Sequence, residues 1–310
     1  MDKIKIKKEY QKKIKNLIKL NRHYYELSKP LVEDQEYDQI KSEIFSLEKK
    51  YNFLKSEDSP SKKVGYRPSK TFKKVLHKVS MLSLSNAFSE EDLINFEKKI
   101  INFLDKDSSF EIEYSAEPKI DGISASLTYQ KGKFIMGLSR GDGKEGEDIT
   151  QNLKTINDIP KEILIKDFPT DIDVRGEVFI GNKDFEKIKD KFANPRNAAS
   201  GSLRQKNPID TKKIPLKFIA YTFGHEKGMK VQKQNEYLQK LTGWGFKTNP
   251  FNKTIKGIQN LMNNYYEIEK KRNEIDFDID GIVYKINDFN LQKRLGNVAN
   301  SPRWAIAHKF

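Results

Sequence analysis

The chain has 310 residues, 36% hydrophobic and 33% charged, and carries a net charge of +14. That length allows a full core and two domains, and 19 Phe and 13 Tyr supply large core pieces, which excludes wholesale disorder. The chain has no cysteine, which excludes disulfides, thiolate catalysis and thiolate-ligated zinc; His23, His77, His225 and His308 show no metal-ligand spacing. The basic excess suits a polyanionic partner through counterion release, or a lysine-rich surface that keeps the protein soluble.

The N-terminal residues Met1-Asp2-Lys3-Ile4-Lys5-Ile6-Lys7-Lys8 have no apolar core for a signal peptide. No apolar run approaches the roughly 20 residues that cross a bilayer. The expectation is a cytoplasmic protein with no membrane contact.

Residues 1 to about 54 read as helical, with an apolar stripe beginning at Ile14, Leu17, Ile18 and Leu20 and broken by Ser28-Lys29-Pro30. Asp34 has the chemistry of an N-cap for a second helix whose inner face carries Tyr37, Ile40, Ile44, Leu47 and Tyr51. Residues 1–70 hold 18 Lys and Arg against 11 Asp and Glu, half the net charge in under a quarter of the length. Residues 56–71, with Ser59-Pro60, Gly65 and Pro68, read as a connector, dividing the chain into 1–70 and 71–310.

Helical segments follow near 89–104, 182–192 and 257–274. Between them, Phe110–Ala116 alternates apolar and polar, the period of a half-buried strand. Ile123, Ala125, Leu127 and Tyr129 alternate, Lys131-Gly132 turns, and Phe134, Met136 and Leu138 return as a hairpin. Val174–Ile180, Asp280–Ile286 and Trp304–Ala307 read as further strands. Clustered strands without regular βαβ alternation give an α+β class with largely antiparallel sheets flanked by helices, behind a small N-terminal helical domain.

The densest chemistry lies in Glu117-Pro118-Lys119-Ile120-Asp121-Gly122. Continuing the strand period puts Glu117, Lys119 and Asp121 on one face. The lysine is then an ion-pair partner or a nucleophile. Anions beside it favour the ammonium, whereas an amine nucleophile must lose a proton from a group whose ordinary pKa is about 10.4. Lys285, Lys309 or a bound metal ion could supply the opposing positive charge.

Gly141-Asp142-Gly143-Lys144-Glu145-Gly146 fits G-x-G-x-x-G, but the strand before it belongs to a hairpin and no parallel βαβ unit surrounds it. It reads as a glycine-rich turn that brings Arg140 close to something. Residues 192–204 read as a small-residue loop framed by Arg196 and Arg204, whose forks suit phosphate oxygens or solvent equally. Tyr24, Tyr25, Asp34, Tyr37 and Asp38 could by themselves be helix core and helix-dipole partners.

Glu117–Gly122 resembles the lysine motif of covalent nucleotidyltransferases. Ser139–Asn152, Asn194–Arg204, Asp280–Lys285 and Ser301–Phe310 resemble, in order, bacterial NAD-dependent DNA ligases, as do Asp34–Asp38 and Met81–Phe88. The resemblance covers nearly the whole chain. It implies that Lys119 attacks the adenylyl phosphorus of NAD, forming lysyl-AMP and releasing nicotinamide mononucleotide (NMN). It implies Glu117 and the backbone near Ser83 and Leu84 at the adenine, Arg140 and Glu177 at the ribose and reacting centre, and Val283, Lys285 and Lys309 around the nucleotide. Arg196 and Arg204 would act around phosphates and the DNA nick. Tyr24, Tyr25, Asp34, Tyr37 and Asp38 would hold the NMN half; many relatives have histidine where Tyr25 stands.

Mg²⁺ is implied as well, with Asp121 or Glu177 positioning metal-bound water, and nicked duplex DNA is the implied partner of a monomer in replication and repair. Family members continue beyond the position of Phe310 into further domains, so self-adenylation with weak or absent nick sealing is expected. A silent nucleic-acid-binding module, or an ATP-using ligase or capping-type enzyme, are the competing readings.

Overall fold

A computed structural model describes residues 3–23, 31–32, 34–54, 59, 72–107 and 109–310. Helices α1 (Lys3–Asn21) and α2 (Asp34–Lys50) form the N-terminal unit. The next elements are β1 (Lys74–Leu76), β2 (Ser85–Ala87), α3 (Glu90–Leu104), β3 (Glu113–Ile120), β4 (Ile123–Gln130), β5 (Lys133–Ser139), β6 (Glu145–Glu147) and α4 (Thr150–Leu153). Then come β7 (Asp171–Ile180), α5 (Asn182–Phe185), α6 (Pro195–Leu203), α7 (Pro208–Lys212), β8 (Leu216–Lys227), α8 (Gln234–Gly243), β9 (Lys253–Lys256) and α9 (Ile258–Lys271). The chain closes with β10 (Ile279–Ile286), α10 (Phe289–Leu295), β11 (Asn297–Val298), β12 (Ser301–Pro302) and β13 (Ala305–Lys309). Among the described residues no helix is long and apolar enough to cross a membrane.

Two sheets carry the α+β body, one ordered β2-β13-β10-β3-β9 and the other β5-β4-β7-β8. Pairing within them is antiparallel except between β2 and β13. Each sheet has its own apolar core. Tyr114, Tyr284, Ile282 and Ile306 of the first pack with Leu93, Ile100 and Leu104 of α3 and Leu261 and Ile268 of α9. Leu127, Val174 and Phe218 of the second pack with Ala198, Ala199 and Leu203 of α6 and Tyr237 and Leu241 of α8. A small third cluster, Ile120, Phe179 and Ile219, lies where the two sheets meet.

That junction is crossed at Asp121-Gly122, where the chain leaves β3 for β4 in the other sheet. A Cβ on Gly122 would lie 2.4 Å from Val178 O and 2.8 Å from Glu177 Cγ, so only glycine lets the strands approach there. At the β4–β5 turn, Lys131 and Gly132 both have positive φ, 48° and 77°, as a two-residue hairpin of the primed kind requires.

Several expectations need correction. The α1 stripe is Ile6, Tyr10, Leu17 and Leu20, with Ile14 at its margin; Ile18 points outward, 53% exposed. α2 begins at Asp34 itself rather than being capped by it, and the Asp34 side chain lies outside the described residues, as do Tyr24 and Tyr25. The helix expected over 182–192 is only α5 and a 3₁₀ turn, Lys189–Lys191, because between Phe185 and Phe192 the segment offers the core only Ile188 among charged residues. The small-residue segment after Phe192 is helix α6 and not a loop. Asn194 caps it, accepting from Asn197 N at 2.7 Å, Pro195 opens it, and its alanines and serines are small enough to pack against β7. The twelve-residue strand β8, bounded by Pro215 and rich in aromatic and β-branched residues, went unread.

Candidate active site

Between the sheets, and reaching the N-terminal unit, opens a cleft of about 1610 Å³. Lys119, near the end of β3, enters it with its side chain 26% exposed. Its counter-ion is neither Glu117 nor Asp121, the sequence neighbours that suggested an ion pair. Lys119 Nζ donates instead to Asp280, at 2.8 Å to Oδ1 and 2.7 Å to Oδ2. Asp280 comes from β10, the antiparallel neighbour of β3, where the register slips between Ile279 and Ile282. Gly281 within that bulge has φ 150°, and a Cβ on it would lie 2.2 Å from His308 O. The bulge thus re-aims Asp280 into the cleft. Lys309 Nζ lies 3.8 Å from the same carboxylate. Burial alone would push the Asp280 carboxyl up; Lys119, Lys309 and Arg196 outweigh it and hold the group below the ordinary carboxylate range.

The two neighbours of Lys119 are engaged elsewhere. Glu117, 4% exposed, accepts from Lys285 Nζ at 2.7 Å on Oε2, and from Ser115 Oγ and Gln234 Nε2, each at 2.9 Å, on Oε1. Lys285 also donates to Tyr221 O at 3.0 Å and sits 5.2 Å from the centroid of the Tyr221 ring. Asp121 is paired with Arg196 at the start of α6. Lys285 is therefore paired with Glu117, whereas Lys309 lies beside Asp280 and is itself paired with Asp38 of α2.

Glu177 lines the cleft from β7 and accepts from Ser124 Oγ at 3.0 Å and Tyr221 Oη at 3.3 Å. Burial raises its pKa, opposed first by Arg196 and Lys119 and then by Ser124 and Arg140. Tyr37 and Asp38 reach the cleft from the N-terminal unit, Ser83 and Leu84 from the segment before β2, and Val283 from β10. Arg140 and Arg196 also line it. Arg204 does not; its Nε lies 3.2 Å from Oε2 of the buried Glu147.

Sequence reasoning missed Asp280 as the partner of Lys119, and Tyr221, Gln234 and Ser124 as supports. Asp280-Gly281 repeats the carboxylate-glycine pattern of Asp121-Gly122 and was the available signal. Tyr221 belongs to the unread strand. Gln234 opens a helix more than a hundred residues from the carboxylate it holds, and nothing local announces it.

Lys119, Arg140, Arg196 and Lys309 line one cleft, with Asp38 paired to Lys309 beside them, a cationic lining that suits a phosphate-bearing ligand. The carboxylates do not make a metal cage. Among the described residues no three His, Asp or Glu side chains are grouped to hold an ion, Asp121 is tied to Arg196, and Glu177 is held by Ser124 and Tyr221.

The chain matches the model of the NAD-dependent DNA ligase adenylation domain over residues 69–310 and that of the DNA ligase-like, N-terminal NAD+-binding domain over residues 3–65. It is 68% identical over 302 residues to a DNA ligase of Pelagibacter ubique (strain HTCC1062), covering 97% of this chain and 45% of that protein. It is 45% identical over 295 residues to a DNA ligase of Parvibaculum lavamentivorans, covering 93% of this chain and 42% of that protein. The chain thus spans somewhat under half the length of these curated relatives. Among solved structures, a mycobacterial DNA ligase D complexed with ATP and MES aligns with 64% of this chain and 54% of its own, at 13% identity and a TM-score of 0.38, too slight a likeness to bear on the assignment. On the two family models, which between them match nearly every residue, the chain belongs to the NAD-dependent DNA ligases, as their adenylation domain with its N-terminal NAD+-binding domain.

Proposed function

We propose that this chain adenylates itself with NAD, forming the lysyl-AMP whose AMP is destined for the 5′-phosphate of a DNA nick, while nick sealing by these residues alone is weak or absent. The observation that carries this reading is the placement of Lys119 Nζ in the cleft, oriented by Asp280 at 2.7 Å and flanked by Lys309. A primary amine aimed by a neighbouring strand at a cation-lined cleft is the arrangement an in-line attack on phosphorus needs.

In the first step Nζ forms a bond to the adenylyl phosphorus, and the bond from that phosphorus to the bridging oxygen breaks, so NMN leaves with the oxygen. The ammonium proton must depart before or during attack; Asp280 is the carboxylate within reach and hands it on to solvent. Lys309, Arg140 and Arg196 face the charge that grows on the phosphoryl oxygens. Glu117, itself fixed by Lys285 and Gln234, is read at the adenine, and Glu177 with Arg140 at the ribose. Residues 1–70 are read as the unit that holds the NMN half, through Tyr24, Tyr25, Asp34, Tyr37 and Asp38, and residues 71–310 as the unit of chemistry.

Mg²⁺, which commonly uses only one or two carboxylates beside substrate phosphates, would supply further charge stabilisation at the phosphates. Arg204 is read, with Arg196, as a group at the nick. The physiological setting is read as a cytoplasmic monomer acting on nicked duplex DNA. Asp38 in the same cleft as Lys119 favours NAD over ATP, which has no nicotinamide half to hold.

Mass spectrometry after incubation with NAD and Mg²⁺ tests the reading. The expected product is the chain plus one AMP, lost in Lys119→Ala and not formed from ATP. An unmodified wild-type chain, or an adduct that survives Lys119→Ala, overturns it.

A further inference from the structure

Arg175 stands on β7 two residues before Glu177, so both side chains leave the same face of the strand. It is 7% exposed, and a cation so buried ordinarily pairs with a carboxylate. The buried Asp173, two residues away on the same face, supplies opposing charge, but the hydrogen bonds of Arg175 go to main-chain carbonyls. Nη1 donates to Ser80 O at 3.1 Å and Nη2 donates to Val79 O, while Nε has no hydrogen-bond partner. The chain makes room for this: a Cβ on Gly224 would lie 2.5 Å from Nη2.

The clamped segment is irregular, running from the end of β1 to the start of β2 without a ladder of its own. Besides the ion pair of Lys78 with Asp171 at 2.7 Å, it is tied at a few points. His77 N donates to Lys144 O at 2.9 Å, Met81 N to Gly143 O at 2.8 Å and Ser83 N to Asn300 O at 2.9 Å. His77 Nε2 lies 3.1 Å from Arg140 O. Ser83 and Leu84, the backbone read at the adenine, follow directly, and the His77 contact ends at the main chain of Arg140. A wall held by so few bonds must be ordered before a ligand arrives, or binding is weakened by the cost of ordering it.

We propose that Arg175 is a positioning residue for the nucleotide: by holding the carbonyls of Val79 and Ser80 it sets the cleft wall of Met81–Leu84, and so the affinity for the adenosine half of the dinucleotide and not the rate of phosphoryl transfer. This rests on the reading of the cleft as an NAD site.

Arg175→Gln and Arg175→Lys test it. The expected result for Arg175→Gln is a KM for NAD raised roughly tenfold or more, the scale of one charge-assisted hydrogen bond, with the maximal adenylation rate little changed. By calorimetry AMP should bind correspondingly more weakly and NMN with wild-type affinity. Amide exchange at Met81 and Ser83 should quicken, while amides of β7 keep their protection. Arg175→Lys, whose ammonium can reach one carbonyl, should fall between, and it carries the same test should Arg175→Gln not fold.

An unchanged KM with unchanged exchange overturns the proposal, as does an equal loss of AMP and NMN binding, which would mark a general structural defect. If the wild-type chain takes no AMP from NAD, the nucleotide reading fails separately, and exchange at Met81 and Ser83 alone decides whether Arg175 holds the wall.

Discussion

Lys119 Nζ donates to both carboxylate oxygens of Asp280, at 2.8 and 2.7 Å, across the β3–β10 pair. The orientation of Lys119 is therefore set by the bulge at Gly281 on the neighbouring strand and not by the carboxylates beside it in sequence. Asp280→Asn keeps the size and removes the charge and the proton acceptor. Adduct formation from NAD should slow by a hundredfold or more, the scale of lost acid–base assistance, with the protein still folded. A wild-type rate, measured by quenched-flow mass spectrometry, would falsify the role given to Asp280.

The Glu117–Lys285 pair, with side chains 5% and 8% exposed, makes a second prediction. Removing one partner leaves a charge buried without its counter-ion, so Lys285→Met should destabilise the protein by about 3 kcal/mol. The double variant Glu117→Gln/Lys285→Met should recover most of that, because no unpaired charge remains. Urea unfolding of the two variants checks this; equal destabilisation of single and double would show that packing, not charge, holds the site.

His308 on β13 gives a pH dependence. It is 2% exposed, stacks on Tyr265 with centroids 4.1 Å apart, and its Nδ1 has no hydrogen-bond partner. Burial lowers its pKa from 6.5 to about 4, with Asp92 opposing. The folded protein thus binds fewer protons than the unfolded chain between those values. The contribution is fully present above pH 6.5 and is lost as pH falls toward 4, at up to about 1.4 kcal/mol per pH unit. His308→Phe keeps a ring on Tyr265 and removes the titration. Between pH 7 and 5 the variant should lose about 2 kcal/mol less stability than wild type, measured by denaturant midpoints at each pH; parallel curves would refute it.

Asp38 meets Lys309 where the N-terminal unit faces the cleft. Asp38→Ala should abolish NMN binding and slow reaction with NAD at least a hundredfold, while AMP still binds within a few-fold of wild type. Calorimetry with the two mononucleotides separates these effects, and equal weakening of both would remove Asp38 from the NMN side.

Much of the architecture was legible because local patterns decide it. The β4–β5 hairpin is written in alternation around Lys131-Gly132, α3 falls where a helical segment is expected, and the change from helices to sheets is written in the chain's change of texture. Other elements were hidden where local signals compete with tertiary ones. The alanines and serines of α6 look like a loop until β7 supplies the surface against which small residues pack closely. The strand β8 carries a bulge, and its alternation is broken by the shift between Arg175 and Gly176 in its partner.

By itself the sequence determined the charged residue types of the cleft, their order and the strand that carries Lys119, since motif and period are local properties of the chain. Only the tertiary structure decided who partners whom. Glu117 goes to Lys285, Asp121 to Arg196, Lys119 to Asp280 and Lys309 to Asp38, pairs separated by 75 to 271 positions. Charges pair by distance in space: the pairing of β3 with β10 in one sheet, α6 beside the β3–β4 junction and α2 at the cleft bring together groups that no spacing along the chain connects.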